Sequence, residues 1–160
     1  QMLTAAPQEV PAKLQALQAQ LDHLEKENAQ LHSRLAQEAF NTALSKVQHV
    51  EDVPVLAAII PSANAETLRS LADQFRQRYS SGVVVLASAS EGKPLIIAAV
   101  TPDLISRGLK AGELVKRVAA VVGGGGGGKP DLAQAGGKDA SKLAQALDQV
   151  PAYIRENLAV

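Results

Sequence analysis

Seven cations interleaved with two glycine clusters are the residues of this sequence best suited to bind a ligand. They lie in residues 104–142, where three carboxylates leave a local net charge of +4. Glycine backbone beside cations can approach a sugar-phosphate chain closely and contact phosphates without reading bases. From the residues alone two interpretations stay open, a surface that reads the shape of a sugar-phosphate chain and a solvated face of ordinary lysines. The cations are Arg107, Lys110, Lys116, Arg117, Lys129, Lys138 and Lys142.

The run of six glycines matches two nucleotide-binding patterns by composition alone. Residues 123–129 fit the phosphate loop GxxxxGK, but Pro130 follows where that loop needs a hydroxyl to bind magnesium, and Asp131 would place a negative charge beside the phosphates. The pattern GxGxxG is met too, without the strand, turn and helix that a dinucleotide site requires. The sequence thus argues against nucleotide hydrolysis. Two interpretations stay open, a backbone that approaches phosphate and a flexible linker without a ligand.

Catalytic and metal-binding side chains are scarce. There is no cysteine, and the three histidines, His23, His32 and His49, form no HExxH or other paired motif. The part of the chain after residue 50 contains no histidine that could activate a serine. We therefore expect no catalytic residue, no metal and no cofactor.

Leucines at alternating spacings of three and four mark residues 14–35 as a heptad-patterned helix. The one exception among the a and d positions is Asn28, a polar residue of the kind that fixes register in coiled coils at some cost in stability. A helix that continues to about Val47 would be on the order of 50 Å long, too long to bury its leucine face on its own domain. The pattern predicts a homodimer paired through this face, with a helix folded back on its own domain as the alternative. The leucines are Leu14, Leu17, Leu21, Leu24, Leu31 and Leu35.

Short apolar segments alternate with amphipathic helices after Val50, as is typical of an α/β domain. Residues 53–60 predict a strand covered on both faces, and a helix capped by Asn64 connects it to a parallel strand at residues 83–87. Residues 95–100 predict a third strand, joined to the second by a hairpin. Further helices are predicted at residues 102–107, at residues 112–121, after Asp139 and from Pro151.

These elements predict an α/β fold in which a mixed sheet with flanking helices follows a long, coiled-coil-like N-terminal helix. We divide the chain into a helical dimerisation unit, residues 1–50, and a globular unit, residues 51–160. No apolar run reaches the ~20 residues of a membrane helix, and the first residues lack the basic start and cleavage site of a secretory signal. We expect a cytoplasmic protein without a membrane partner, and a chain that is a piece of something longer.

The second half of the chain carries a long ordered motif around the glycine cluster. It resembles the DHHA1-type C-terminal domain of bacterial alanyl-tRNA synthetases, a domain type shared with RecJ-like phosphoesterases. The resemblance covers residue 53 to the end, and the leucine-patterned helix lies where that family has its helical subdomain. The segments that carry it are SSGVVVLAS at 80–88, RGL at 107–109, AGE at 111–113, the glycine run with PD at 130–131, AQAGG at 133–137 and VPAYIRENL at 150–158.

The resemblance implies a non-catalytic module of an alanine–tRNA ligase. In that family the domain helps bind the outer corner (elbow) of tRNA, often dimerises through its helical part, and couples aminoacylation with editing. The partners implied are alanine-specific tRNA, a second copy of the chain, and the aminoacylation and editing domains of the parent protein. Besides the seven cations, the RNA-binding residues implied are Gly125, Gly126, Gly127, Gly128, Gln134, Gly136 and Gly137.

Two other classes of function stay open. One is a structural tether that packs on its parent enzyme and binds little RNA, which the overall balance of 16 cations against 16 carboxylates favours. The other is phosphate-ester hydrolysis by analogy with the RecJ-like enzymes. Lys129, Pro130 and Asp131 stand where those enzymes carry a histidine that approaches substrate, and the metal ligands have no counterpart in the sequence, so hydrolysis is disfavoured.

Overall fold

The computed structural model describes residues 6–158, which form a long helix followed by a six-stranded mixed sheet with helices on both faces. This is the predicted α/β architecture. The ends of the two predicted units, residues 1–5 and 159–160, lie outside the described residues. The strands are β1 Gln48–Val50, β2 Val53–Ile59, β3 Val83–Ser90, β4 Lys93–Val100, β5 Gly125–Gly128 and β6 Leu132–Gly136. The helices are α1 Val10–Leu44, α2 Ala65–Arg78, α3 Pro102–Ser106, α4 Ala111–Val121, α5 Leu143–Leu147 and α6 Gln149–Asn157, with a 3-10 turn at Ala140–Lys142.

Helix α1 is the longest helix in the part of the chain that the structure describes. Its 35 residues span about 52 Å at 1.5 Å per residue, and Pro11 lies in its first turn. Only the last third is anchored, because Ala36 and Phe40 are buried against α2 and β2. The helix ends at Leu44 and not near Val47, since the chain turns there into β1, an edge strand that the sequence pattern did not predict.

The sheet has the order β1-β2-β3-β4-β6-β5. Strands β2 and β3 are parallel and connected by α2, whereas every other neighbouring pair is antiparallel. Asn64 caps α2 as predicted, because its side-chain oxygen accepts a hydrogen bond from the N–H of Thr67 at 2.8 Å. The β3–β4 hairpin also forms, and its turn residues Glu91 and Gly92 both have positive φ. The mixed sheet and its βαβ unit are therefore confirmed.

Alternate residues of the central strands enter two separate cores. In β3, Val83 and Val85 face the core that contains α4, α5 and α6, whereas Val84 and Leu86 face the core of α1 and α2. The first half of β2 is covered on both faces, as predicted, but its end is not, since Ile59 is 47% exposed. The sheet thus forms the middle layer of three over most of its area.

The glycine run forms a strand and is not a flexible linker. Strand β5 lies at the edge of the sheet and pairs antiparallel with β6, so that Gly126 lies opposite Ala135. Glycine has low strand preference, and nothing in its local sequence indicates this strand. Its order comes from pairing with β6 and from packing against α4.

Helix boundaries after β4 follow the sequence signals with two differences. Gly108, with a φ of +101°, ends the segment after α3 as expected. Thr101 occupies the N-cap position of α3, but its hydroxyl accepts a hydrogen bond from the N–H of Gly82 at 3.0 Å and does not cap the helix. Helix α6 begins at Gln149, two residues before Pro151.

Candidate nucleic-acid interface

Strands β5 and β6 form a closely spaced pair, called here the glycine hairpin (residues 125–136). A Cβ atom at Gly126 would overlap the carbonyl oxygen of Gln134 and the Cα of Ala135, so the close approach of the two strands requires glycine there. A Cβ atom at Gly125 would have no neighbour within 4 Å. The fold therefore does not require glycine at residue 125, and this part of the edge strand is bare backbone that a ligand can approach.

Helix α4 places a cation along the edge strand. Near its start, the N–H of Ala111 donates to the carbonyl of Pro130 at 2.8 Å, which holds the helix against the hairpin. Further along the helix, the Cε of Lys116 lies 3.6 Å from the position that a Cβ atom on Gly127 would take. The stem of the exposed Lys116 therefore lies against the glycine strand.

Two further lysines lie at the two ends of the glycine hairpin. The N–H of Lys129 donates to the carbonyl of Leu132 at 3.0 Å within the turn between the strands. At the other end, the N–H of Lys138 donates to the carbonyl of Val122 at 2.9 Å. Within residues 6–158, the side chains of Lys116, Lys129 and Lys138 are exposed and form no ion pair. The structure thus brings three of the seven predicted cations to the hairpin with their charges uncompensated.

The other four predicted cations each face a carboxylate. Arg107 donates to both carboxylate oxygens of Asp52, at 2.8 and 3.0 Å, and this hydrogen bonding lowers the pKa of Asp52. Asp52 lies between β1 and β2, at the opposite edge of the sheet from the glycine hairpin. The structure therefore does not bring Arg107 to the hairpin. The remaining pairs are Arg117 with Glu156, Lys110 with Glu113 at 3.3 Å, and Lys142 with Asp139 at 3.6 Å.

Three of the predicted RNA-binding residues, Gln134, Gly136 and Gly137, lie on β6 or directly after it and have different surroundings. Gln134 points to the α2 side of the sheet, where its Oε1 accepts a hydrogen bond from Nη2 of Arg69 at 2.6 Å. Gly136 is exposed. Gly137 is required by packing, because a Cβ atom there would lie 2.5 Å from the Cγ2 of Val122. Arg69 was not among the predicted residues, since it lies 65 positions before Gln134 in the chain and no local pattern connects the two.

The leucine face of α1 is open to solvent. Its six leucines are between 48 and 56% exposed, and Asn28 is exposed among them. A groove of about 770 Å³ separates this part of the helix from the globular part of the chain. Leu21, Leu24 and Asn28 line it on one side, and Asn64 and Ser90 on the other. The leucines therefore do not pack on the globular part of the chain, although Leu21 and Leu24 face it across the groove, and pairing with a second chain stays a prediction.

Metal and membrane sites have no support in the described part of the chain. Within residues 6–158 no group of three or more histidine, aspartate or glutamate side chains is arranged to hold a metal ion. His23, His32 and His49 are exposed. Among the same residues, no helix combines the length and the apolar character needed to cross a membrane.

Comparisons with known proteins agree on one domain type. Residues 52–156 match the DHHA1 domain. The chain is 48% identical to an alanine–tRNA ligase of Geobacillus kaustophilus and 47% identical to one of Halalkalibacterium halodurans, over 97% and 92% of its length. These matches cover only 18% and 17% of the two ligases. Among solved structures, the C-Ala domain of Aquifex aeolicus alanyl-tRNA synthetase is similar, with 33% identity and a TM-score of 0.63 over 67% of this chain and 96% of that domain.

The chain belongs to the DHHA1 family, and its relatives place it with the domain found at the C-terminus of alanyl-tRNA synthetases. This confirms the resemblance drawn from the glycine motif. The chain spans about a fifth of the length of the ligases that it matches, so their whole activity does not transfer to it.

Proposed function

We propose that the chain is a non-catalytic module of a cytoplasmic alanine–tRNA ligase and binds the outer corner of folded tRNA. The observation that carries the proposal is the set of Lys116, Lys129 and Lys138 along the glycine hairpin, none of which forms an ion pair within residues 6–158. The similarity to the C-Ala domain and to ligases from several bacteria supports it.

The surface is suited to a sugar-phosphate backbone and not to base edges. Its cations are flexible lysines, which bind phosphate as point charges. The strand between them has no side chains, so a backbone can come close to it. Three phosphate contacts should make binding depend on salt with a slope of about −2 to −3 in log affinity against log salt.

The test is a titration of the 160-residue chain against an alanine-accepting tRNA, an unrelated elongator tRNA and a plain RNA duplex, at two salt concentrations. We expect salt-sensitive binding of both tRNAs and much weaker binding of the duplex, because the folded corner has a shape that a duplex lacks. No binding of either tRNA at ~100 μM protein would contradict the proposal, since even non-specific affinities lie near this range.

A charge-reversal variant and its matched control locate the surface. Reversal of Lys116, Lys129 and Lys138 to Glu should abolish tRNA binding under conditions where wild type binds, because three phosphate contacts are replaced by repulsion. The control reverses three cations outside the hairpin and so produces the same change in net charge. Those control positions are Lys46, Arg78 and Arg155.

In the parent protein, we propose that the module couples aminoacylation with editing by holding one tRNA for the aminoacylation domain and the editing domain.

We also propose that two chains pair through the exposed leucines of α1. Six half-exposed leucines on one helix face form an apolar patch that water solvates poorly. Light scattering at ~50 μM should give the mass of a dimer. Replacement of Leu17 and Leu24 by Glu should give a monomer with an unchanged helix content.

A structural tether remains the alternative, because four of the seven predicted cations are offset by carboxylates. On that hypothesis the chain dimerises and packs on its parent but binds tRNA weakly or not at all. The tRNA titrations of wild type and of the triple lysine variant separate the two hypotheses. The tether hypothesis predicts a dimeric mass and the same tRNA affinity for both proteins.

A further inference from the structure

Arg69 is an exposed cation on α2 whose guanidinium is held by a side-chain hydrogen bond and, among the described residues, by no ion pair. Its Nη2 donates to Oε1 of Gln134 at 2.6 Å, and within residues 6–158 it forms no ion pair. Arg76, two turns later on the same helix, does form ion pairs. Its Nη1 lies 3.6 Å from Oδ1 of Asp73, and its Nη2 lies 3.9 Å from Oδ2 of Asp131. Arg69 is thus held beside the glycine hairpin by a neutral amide and not by a carboxylate.

The register of the glycine hairpin places Arg69 at the same position along the hairpin as Lys116. Gln134, which holds Arg69, is the register partner of Gly127 on the edge strand. The same Gly127 is the residue against which Lys116 lies. Lys116 reaches it from α4, on one side of the sheet, whereas Arg69 comes from α2, on the other side. Gln134 and Gly127 thus connect the two cations at one register position of the hairpin.

The chemistry of this arrangement fits a phosphate group. A guanidinium has five N–H donors, and the bond to Gln134 uses one, so a pair of parallel donors remains for two phosphate oxygens. Holding the guanidinium in advance reduces the side-chain entropy that is lost on binding. Gln134 acts here as a positioning residue, because it directs Arg69.

We infer that Arg69, oriented by Gln134, binds a phosphate of the RNA on the α2 side of the glycine hairpin, so that the RNA backbone crosses the edge strand between Arg69 and Lys116. The inference rests on the proposed RNA binding and extends it to the second face of the sheet. It makes the bare edge of the sheet at Gly127 the point that the RNA backbone crosses, since Gly127 pairs with Gln134 and the Cε of Lys116 lies 3.6 Å from the position that a Cβ atom there would take.

The experiment compares Arg69→Gln with Arg78→Gln in titrations with the alanine-accepting tRNA at several salt concentrations. Both substitutions remove one exposed positive charge from α2, but Arg78 lines a groove beside Phe40 and Leu44 and not the hairpin. We expect Arg69→Gln to weaken binding about three- to tenfold and to reduce the salt slope by about one unit. Arg78→Gln should leave the affinity within about twofold of wild type and the salt slope unchanged. Thermal unfolding of each variant establishes that the fold is kept.

A second measurement tests the positioning role. Gln134→Ala should weaken tRNA binding in the wild-type background but have little further effect when Arg69 is already Gln, because the amide acts through the guanidinium. Equal binding and equal salt slope of wild type and Arg69→Gln, or an equal loss from Arg78→Gln, overturns the inference while leaving RNA binding by the lysines in place. Absence of tRNA binding by the wild type overturns both.

Discussion

Arg107 donates two hydrogen bonds to the carboxylate of Asp52 and so joins the end of α3 to the turn between β1 and β2. A paired guanidinium and carboxylate of this geometry is stronger than a single contact between point charges. The pair fastens the edge strand β1, which has only three residues and pairs with β2 alone. We therefore expect Arg107 to stabilise the fold at one edge of the sheet, opposite the edge that carries the glycine hairpin.

The first prediction concerns the acid stability of this pair. The pKa of Asp52 is lowered chiefly by the hydrogen bonds from Arg107, so the carboxylate stabilises the folded chain above its unfolded pKa of about 4, and this contribution is lost as pH falls through the lower folded pKa. Arg107→Gln should lower the urea midpoint at pH 7. The difference in urea midpoint between this variant and wild type should shrink as the pH falls below about 4, the unfolded pKa of Asp52. The measurement is urea unfolding between pH 7 and pH 2.5. A gap that stays constant over this range would mean that Arg107 acts through packing alone.

The second prediction separates two neighbouring glycines of the edge strand. Gly126→Ala should destabilise the chain by about 1–3 kcal/mol or more, since the new Cβ would overlap the carbonyl of Gln134. Gly125→Ala should change the free energy of unfolding by less than about 0.5 kcal/mol, because the added methyl group has open space around it. Urea unfolding of the two variants gives both values. Equal destabilisation by the two substitutions would show that the strand pairing differs from the one described.

The central part of the fold could be predicted because its signals are local. Asn64 caps α2 with its own side chain, and Glu91 and Gly92 supply the positive φ values of the β3–β4 turn. The two edge strands could not be predicted in this way. Strand β1 has three residues and β5 has only glycine, so both depend on a neighbouring strand that the local sequence does not reveal.

The candidate site was predictable in its residue types but not in its charge. A count along residues 104–142 finds seven cations, yet the carboxylates that offset two of them are distant in sequence. Asp52 lies 55 positions from Arg107, and Glu156 lies 39 positions from Arg117. Arg69 is the converse case, because it lies outside residues 104–142 and yet is held beside the glycine hairpin by its hydrogen bond to Gln134. Charge counted along a chain therefore misjudges a surface assembled from several elements.

The third prediction tests where α1 stops belonging to the globular part of the chain. Phe40 is 1% exposed, so Phe40→Ala should cost about 3–5 kcal/mol through lost burial and a residual cavity. Leu24 is 53% exposed, and Leu24→Ala should change the stability of the monomer by less than about 0.5 kcal/mol. Urea unfolding at a concentration low enough to keep the chain monomeric measures both. A large loss of monomer stability in Leu24→Ala would place the helix against its own domain.

The fourth prediction concerns the polar residue within the leucine face. In a parallel pair with aligned chains, Asn28 would lie opposite its own copy, where leucine would bury more apolar surface at the cost of a fixed register. Asn28→Leu should therefore tighten the dimer at least ~tenfold, equivalent to about 1.4 kcal/mol. Light scattering over a dilution series measures the dissociation constant.

Lys26→Leu is the matched control for this substitution, because it adds the same side chain at an f position, on the opposite side of the helix from the leucine face. It should leave the dissociation constant unchanged if pairing uses the leucine face. Equal tightening by Lys26→Leu would show that added hydrophobicity drives association at any helix position. A monomeric mass for both variants would contradict pairing through α1 altogether, since the substitution that most favours a leucine seam would then have failed to produce one.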